Sequence, residues 1–314
     1  MRVPEDASCY GSMGDWLLLK RSVRGAGEFS LTNPFTKTVV RLPKETCPPR
    51  PTSVKPVPLS TLDDGLHFAI LTTDSCFESV ISVCRQGTTS TAFRVPDGER
   101  ISDVAFFDGK LHALSLTKLY ALDLESTAGS SSKGKPGARV VPSMRRVADA
   151  VRNPGFLRRT IAGKNHVCAY WSYLVESSGK LLHVRRLIGC LSTLPEKDRV
   201  ENSRTFLFEV FEADLARGSS RDKWKRVDAL GGRALFVGTQ SKSLPAPECG
   251  AREDCIYFVS DYDHGSRGVA DPLRDCGVFD MRTGTITPLL PGDVAVRHQG
   301  CKGFPTWFFP SKTM

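Results

Sequence analysis

The sequence predicts an all-β fold: a β-propeller of about six or seven four-stranded blades with one Gly/Ser/Lys/Arg-rich insertion. Three observations lead there. Short apolar or alternating runs dominate the chain, and turn-forming residues separate them. Helix-period stretches are few, the best being a weak one over Ser143–Val151. A strand–turn–strand unit recurs in loosely similar form. Many short strands leave many edges, which a closed or radial arrangement covers. Periodicity alone leaves a sandwich or a split barrel open.

Trp16–Lys20 begins the strand series with a block of large apolar residues followed by charge. Glu28–Thr32 and Thr38–Leu42 come next, with Asn33-Pro34 between them as turn formers. His67–Leu71 is a continuous apolar run, as a strand covered on both faces requires. Val80–Arg85 and Thr91–Val95 follow, and Asp97-Gly98 ends the pair. Ile101–Phe107, Lys110–Leu116 and Leu119–Leu124 are rich in large apolar residues, with Asp108-Gly109 as a hairpin signal. Leu181–Ile188, Phe206–Ala213, Ala234–Val237, Cys255–Ser260, Gly277–Phe279 and Thr285–Leu289 complete the series, with Thr283-Gly284 ahead of the last.

The repeat is a strand, a turn, and a strand ending in an apolar-Asp-apolar triplet. Phe107–Leu114 runs into Leu119–Leu124, Cys255–Val259 leads to Cys276–Met281, and Phe208–Leu215 echoes the second half. Asp123, Asp214 and Asp280 follow strand ends, where a carboxylate accepts turn N–H groups. Blade units of roughly 40–50 residues have this character.

The 314 residues are 40% apolar and 25% charged, which excludes disorder as a global description. No apolar run is long enough for a membrane helix. No apolar segment follows Met1, so a secretory signal is not expected. The ten cysteines are scattered, with no Cys-x-x-Cys, and no Asn-x-Ser/Thr acceptor occurs. Reduced thiols in the cytoplasm or nucleus are the expectation. The net charge of +9 is concentrated: Ser126–Lys164 holds nine cations and the single acid Asp149, leaving +1 for everything else. Partners drawn to a globally basic surface are therefore not implied.

Four stretches then resemble a plant family, the F-box-associated KIB-type (kelch-like) β-propellers. Cys9–Leu17, followed by Leu31–Thr36 and Arg41-Leu42-Pro43, is similar to the family's opening motifs. Phe107–Leu124 resembles its central blade, and Cys255–Phe258 with Asp275–Asp280 its closing signature. Pro305–Pro310 resembles its Trp-Phe-x-Pro end. The resemblance implies a propeller domain over residues 8–310, after an extension at 1–7 and before a tail at 311–314, with 126–164 as a basic insertion. It implies a non-enzymatic module that binds a protein partner through inter-blade loops, often as the substrate-recruiting half of a ubiquitin-ligase receptor. No F-box precedes the first motif here, so a Skp-type adaptor is not the expected partner. Trp16, Trp307 and Phe308 are expected to pack between blades, with the Trp16 and Trp307–Phe309 regions meeting to close the ring.

Catalytic, cofactor and metal residues are not identified, and no cofactor is expected. Gly129–Pro136 nearly spells a phosphate loop, but Pro136 stands where a hydroxyl must hold Mg²⁺ and no helix follows. Asp261, Asp263, Asp271 and Asp275 lack the closing bidentate Glu of a Ca²⁺ loop. His112 and His183 sit within strands, where packing is the ordinary role. The candidate partner-binding residues are Lys133, Lys135, Arg145, Arg146, Arg158 and Arg159. The arginine pairs flank a short expected helix and suit an acidic partner or phosphates. Phe156 is the one aromatic of that segment, which disfavours the stacking platform of a single-strand nucleic-acid binder. Nucleic acid is thus the alternative partner and not the first.

Overall fold

Two-residue turns at Gly14-Asp15, Asp108-Gly109, Leu116-Thr117, Ala162-Gly163 and Ser178-Gly179 each join one strand to the next as a hairpin. The computed structural model describes residues 7–23, 26–43, 51–59, 66–74, 76–85, 91–94, 98–123, 144–215, 223–262, 273–289 and 305–310. Within these, strands collect into five sheets. The first holds β1 (Ala7–Met13), β2 (Trp16–Val23), β3 (Ala26–Thr32) and β4 (Val39–Arg41). The second holds β5 (Ser53–Pro58), β6 (His67–Thr73), β7 (Ser79–Arg85) and β8 (Thr91–Arg94). The third holds β9 (Ile101–Phe107), β10 (Lys110–Ser115), β11 (Lys118–Asp123) and β12 (Met144–Asp149). All three run in sequence order with antiparallel neighbours. At Asp108-Gly109 and Ser178-Gly179 both turn residues have positive φ. That geometry matches the right-handed twist of the flanking strands and favours Gly in the second place.

The fourth sheet is larger. It holds β13 (Leu157–Ile161), β14 (Lys164–Ser177), β15 (Lys180–Leu191), β16 (Arg204–Ala213) and β17 (Trp224–Val227), with helix α1 (Glu196–Asn202) between β15 and β16. β13 pairs only with the first residues of β14, so a hairpin rises beyond the body of the sheet. The fifth sheet holds β18 (Arg233–Val237), β19 (Lys242–Pro245), β20 (Cys255–Phe258), β21 (Gly277–Asp280) and β22 (Ile286–Pro288), with helix α2 (Ala246–Cys249) after β19. Here β18 and β20 pair in parallel, because β19 and α2 carry the chain back before β20 begins.

Successive sheets pack face to face. Leu18, Phe29 and Leu31 of the first meet Val54, Phe68 and Ile70 of the second. Ala69, Leu71 and Ile81 meet Val104, Leu111 and Tyr120 of the third. Ala105, Leu114 and Leu119 meet Leu174 and Leu181 of the fourth. Tyr173, Val184 and Phe208 meet Leu235, Ile256 and Phe279 of the fifth. Strands β1, β5, β9, β14 and β19 neighbour one another in turn. This radial stacking is the propeller arrangement.

The segment 305–310 joins the last sheet to the first. The Trp307 indole N–H donates to the Val237 carbonyl at 2.9 Å, and its ring meets Phe236 edge-on. The Ser12 hydroxyl donates to the Trp307 carbonyl, and Phe308 stacks on Phe35. The expected meeting of the Trp16 hairpin with Trp307–Phe309 takes this form, with Ser12 making the contact.

Arg186 fastens the fourth sheet to the fifth. It is fully buried and donates to the Val259 carbonyl (2.7 Å), Asp261 (3.1 Å), Asp275 (2.8 Å) and Thr205 (2.7 Å). Its guanidinium lies over the Phe258 ring. Tyr173 adds a hydroxyl that donates to Asp261 at 2.9 Å. Burial works against the Arg186 charge, but Tyr173, Asp275 and Asp261 together hold its pKa above the ordinary value.

The described residues form five sheets, of which the fourth alone spans residues 157–227. Some local expectations change. The weak helix over Ser143–Val151 is strand β12, because β11 offers a pairing edge that outweighs a marginal local preference. Residues 144–161 of the basic segment are thereby built into two sheets. β5 had no apolar signal because Pro56 and Pro58 interrupt it; as an edge strand it tolerates them. Lys133, Lys135 and the Gly129–Pro136 string lie outside the described residues.

Two stability outcomes follow from these contacts. Trp307→Ala is expected to cost about 3 kcal/mol in denaturant unfolding, since it removes a ring and an N–H bond from the closure. Arg186→Met leaves two carboxylates buried without their cation and is expected to cost about 3–5 kcal/mol. Adding Asp261→Asn and Asp275→Asn should recover part of that loss.

Candidate functional site

Alternation along β15 points adjacent arginines to opposite faces of its sheet. Arg186 faces the fifth sheet; Arg185 pairs in register with Ser172 and faces the other way. Arg185 stacks on Tyr170, its guanidinium 3.7 Å from the ring centroid, and lies 3.9 Å from Glu209. Tyr170 and Ser172 thereby form one wall of a groove between the third and fourth sheets.

The other lining residues are Arg100 and Ser102 at the start of β9, Leu116 in the β10–β11 turn, Asn153, Gly155 and Phe156 ahead of β13, and Ala169 and Trp171 on β14. They enclose about 230 Å³. Gly155 has φ +71, which turns the chain just before Phe156. The Asn153 side chain accepts the Gly155 N–H at 3.0 Å and holds that turn. Phe156 is then left 85% exposed at the rim. Arg100 lies over both Phe77 (4.9 Å) and Trp171 (5.8 Å), and Phe77, in the β6–β7 turn, is itself 56% exposed. The up-and-down strand order puts the β6–β7 and β10–β11 turns at the same end of the ring, with the rising β13–β14 hairpin. The exposed Phe35 belongs to the β3–β4 turn at the opposite end.

The sequence-derived candidates divide among these elements. Arg159, on β13, reaches the Tyr170 hydroxyl at 3.3 Å and borders the groove; Arg158 is exposed beside it. Arg145 and Arg146 are on β12, the edge of a different sheet, and Arg146 is ion-paired with Asp149. The two arginine pairs therefore do not form one cluster. Arg100, Leu116, Tyr170 and Trp171 carried no motif and were missed. The available signal was Ala169-Tyr170-Trp171-Ser172, an aromatic pair beside a cationic segment.

The remaining chemistry is accounted for by packing. Asp261 and Asp275, weighed as Ca²⁺ ligands, face the Arg186 guanidinium, and Asp263 and Asp271 lie outside the described residues. Burial pushes the Asp261 carboxyl up to about 6 against the pull of Arg186. Among the described residues no three His, Cys, Asp or Glu side chains converge as metal ligands, and the eight described cysteines are free thiols. No helix among them is long and apolar enough to cross a membrane. His183 supports the groove from beneath: its Nε2 is 3.1 Å from the Ser172 hydroxyl and its ring meets Trp224 edge-on. Burial, with the Arg185 charge, lowers the His183 pKa to about 3.

Comparison with known proteins bears on this ring. The model of a family described as KIB1-4 beta-propeller matches residues 1–280. No curated protein matches the sequence. Among solved structures, the N-terminal domain of Nup159 is 12% identical, with a TM-score of 0.25; the match covers 80% of this chain and 58% of that one. The uncharacterized protein lmo1340 from Listeria monocytogenes EGD-e is 11% identical, with a TM-score of 0.27, over 93% of this chain and 97% of that one.

His183 gives a pH test of the groove's support. Its folded pKa lies below the unfolded value, so its contribution is intact above pH ~6.5 and is lost as pH falls toward the folded pKa. Between pH 6.5 and 4, unfolding measurements should show wild type losing on the order of 3 kcal/mol more than His183→Leu. Parallel curves for the two proteins would contradict a neutral buried imidazole.

Proposed function

The chain belongs to the KIB1-4 β-propeller family, and from that premise we propose that it is a non-enzymatic module that binds a protein partner at the groove end of the ring. The observation that carries this reading is the gathering of exposed apolar side chains there. Phe77, Leu116 and Phe156, each more than half exposed, surround a groove walled by Tyr170, Trp171 and Arg100. Partner-facing surfaces are enriched in this way in Tyr, Trp, Phe and Arg, and the residues that dominate binding are drawn largely from Tyr, Trp and Arg. Turns and inter-sheet links present them, so a rigid scaffold holds loops that carry the recognition.

In this reading the protein acts in the cytoplasm or nucleus as a recognition subunit, in the manner of the propellers of plant F-box proteins. The ring supplies specificity, and any enzymatic step belongs to proteins assembled with it. The buried ionisable groups agree with such a role. Arg186, Asp261, Asp275 and Tyr173 satisfy one another between sheets and offer no reactive atom to the groove.

Affinity capture from cells tests the reading. Full-length wild type should retain a reproducible set of proteins that the triple variant Phe77→Ser/Leu116→Ser/Phe156→Ser loses, with equal thermal stability of the two chains. Retention of the same set by the triple variant would place the partner surface elsewhere.

A further inference from the structure

The groove's charge narrows what docks in it. Residues 150–175 contain Arg152, Arg158, Arg159 and Lys164 and no acid. Among the described residues no carboxylate pairs with any of these four, nor with Arg100. The acids around the groove are engaged by other cations. Glu99 is held by Lys118, Ser115 and Thr117; Glu209 lies between Arg185 and Arg226; Asp149 is bound by Arg146. Glu78, beside Phe77, lies 3.9 Å from Arg94. The cations at residues 152–164 and at Arg100 thus exceed the acids of a rim that surrounds an apolar hollow.

The backbone at this rim is also available. β13 is the outermost strand of the fourth sheet, and it leads directly from Phe156 through Arg158 and Arg159. An extended segment laid along β13 can continue the sheet by main-chain hydrogen bonds, leaving side chains to supply selectivity.

Resting on the partner-binding reading above, we infer that the groove takes an extended acidic peptide segment of its protein partner. One large apolar side chain of the segment enters the hollow between Leu116, Phe156 and Trp171. Flanking Asp or Glu carboxylates meet Arg100 and Arg159 on the face of Tyr170, and Arg158 on the opposite face of β13; these guanidinium groups suit bidentate carboxylate recognition. A nucleic acid fits less well. Base stacking needs free aromatic faces in succession, and here Arg185 lies on Tyr170 and Arg100 over Trp171.

Selection of random short peptides displayed on phage against the full-length chain tests this. Recovered sequences should carry Asp or Glu on both sides of a Leu, Phe or Met, and their binding should weaken as salt rises. Arg158→Glu/Arg159→Glu should reduce affinity for the selected peptide about tenfold and shift a repeated selection toward Lys- and Arg-rich sequences. Phe156→Ser should lower affinity for the same peptide with the thermal melt unchanged. Selected peptides without acidic excess, or no selected peptides, would overturn the inference. So would oligouridylate bound more tightly than any peptide at the same salt. If no peptide is selected while the capture experiment still depends on Phe77, Leu116 and Phe156, partner binding stands and only the acidic-segment inference falls.

Discussion

The Arg186 guanidinium is the contact on which the packing of the fourth sheet against the fifth depends. A cation without access to water must be surrounded by acceptors, and this one draws them from both sheets: Thr205 from the fourth; Val259, Asp261 and Asp275 from the chain around the fifth. The bond network fixes the rotation of the fourth sheet against the fifth. Its neighbour Arg185, pointing the other way, stacks on Tyr170 of the same sheet. One strand thus locks an interface between sheets with one residue and braces a wall of the groove with the next.

Closure of the ring is handled differently. Between the first four sheets and their successors the contact is mainly apolar, crossed by the Lys55–Asp103 pair and by the Arg186 network. At the junction of last and first, the segment 305–310 inserts Trp307 and Phe308, with one indole N–H, one carbonyl and one aromatic stack making the connection. The joint lies at the end of the ring away from the groove.

Much of the fold was legible in the sequence because strands joined by short turns announce themselves locally. Asp108-Gly109 reads as a hairpin turn, and the Leu-rich runs around it as strands, without knowledge of the rest of the chain. Strands β1, β5, β12, β13, β14, β17 and β19 were not legible there; two of these are decided by a partner or an edge position. β12 resembles a weak helix until β11 offers an edge, and β5 carries two prolines that only an edge position tolerates. The arginine pairs were expected to flank a short helix, but they sit on β12 and β13, in different sheets. Arg186 left a trace, a charge inside the apolar run Leu181–Ile188, but its acids Asp261 and Asp275 are 75 and 89 residues away in sequence and only the packing of the sheets brings them to it. The groove left almost none, because its residues come from four separate stretches that meet only when two sheets pack.

The central claim is that the end of the ring carrying Phe156 is the partner surface. Site-specific photocrosslinking measures this directly, with a photoreactive phenylalanine placed in turn at Phe77, Phe156, Phe35 and Val39 of the full-length protein in cells. The account predicts protein adducts from positions 77 and 156 and none from 35 or 39. Adducts confined to positions 35 and 39 would contradict it.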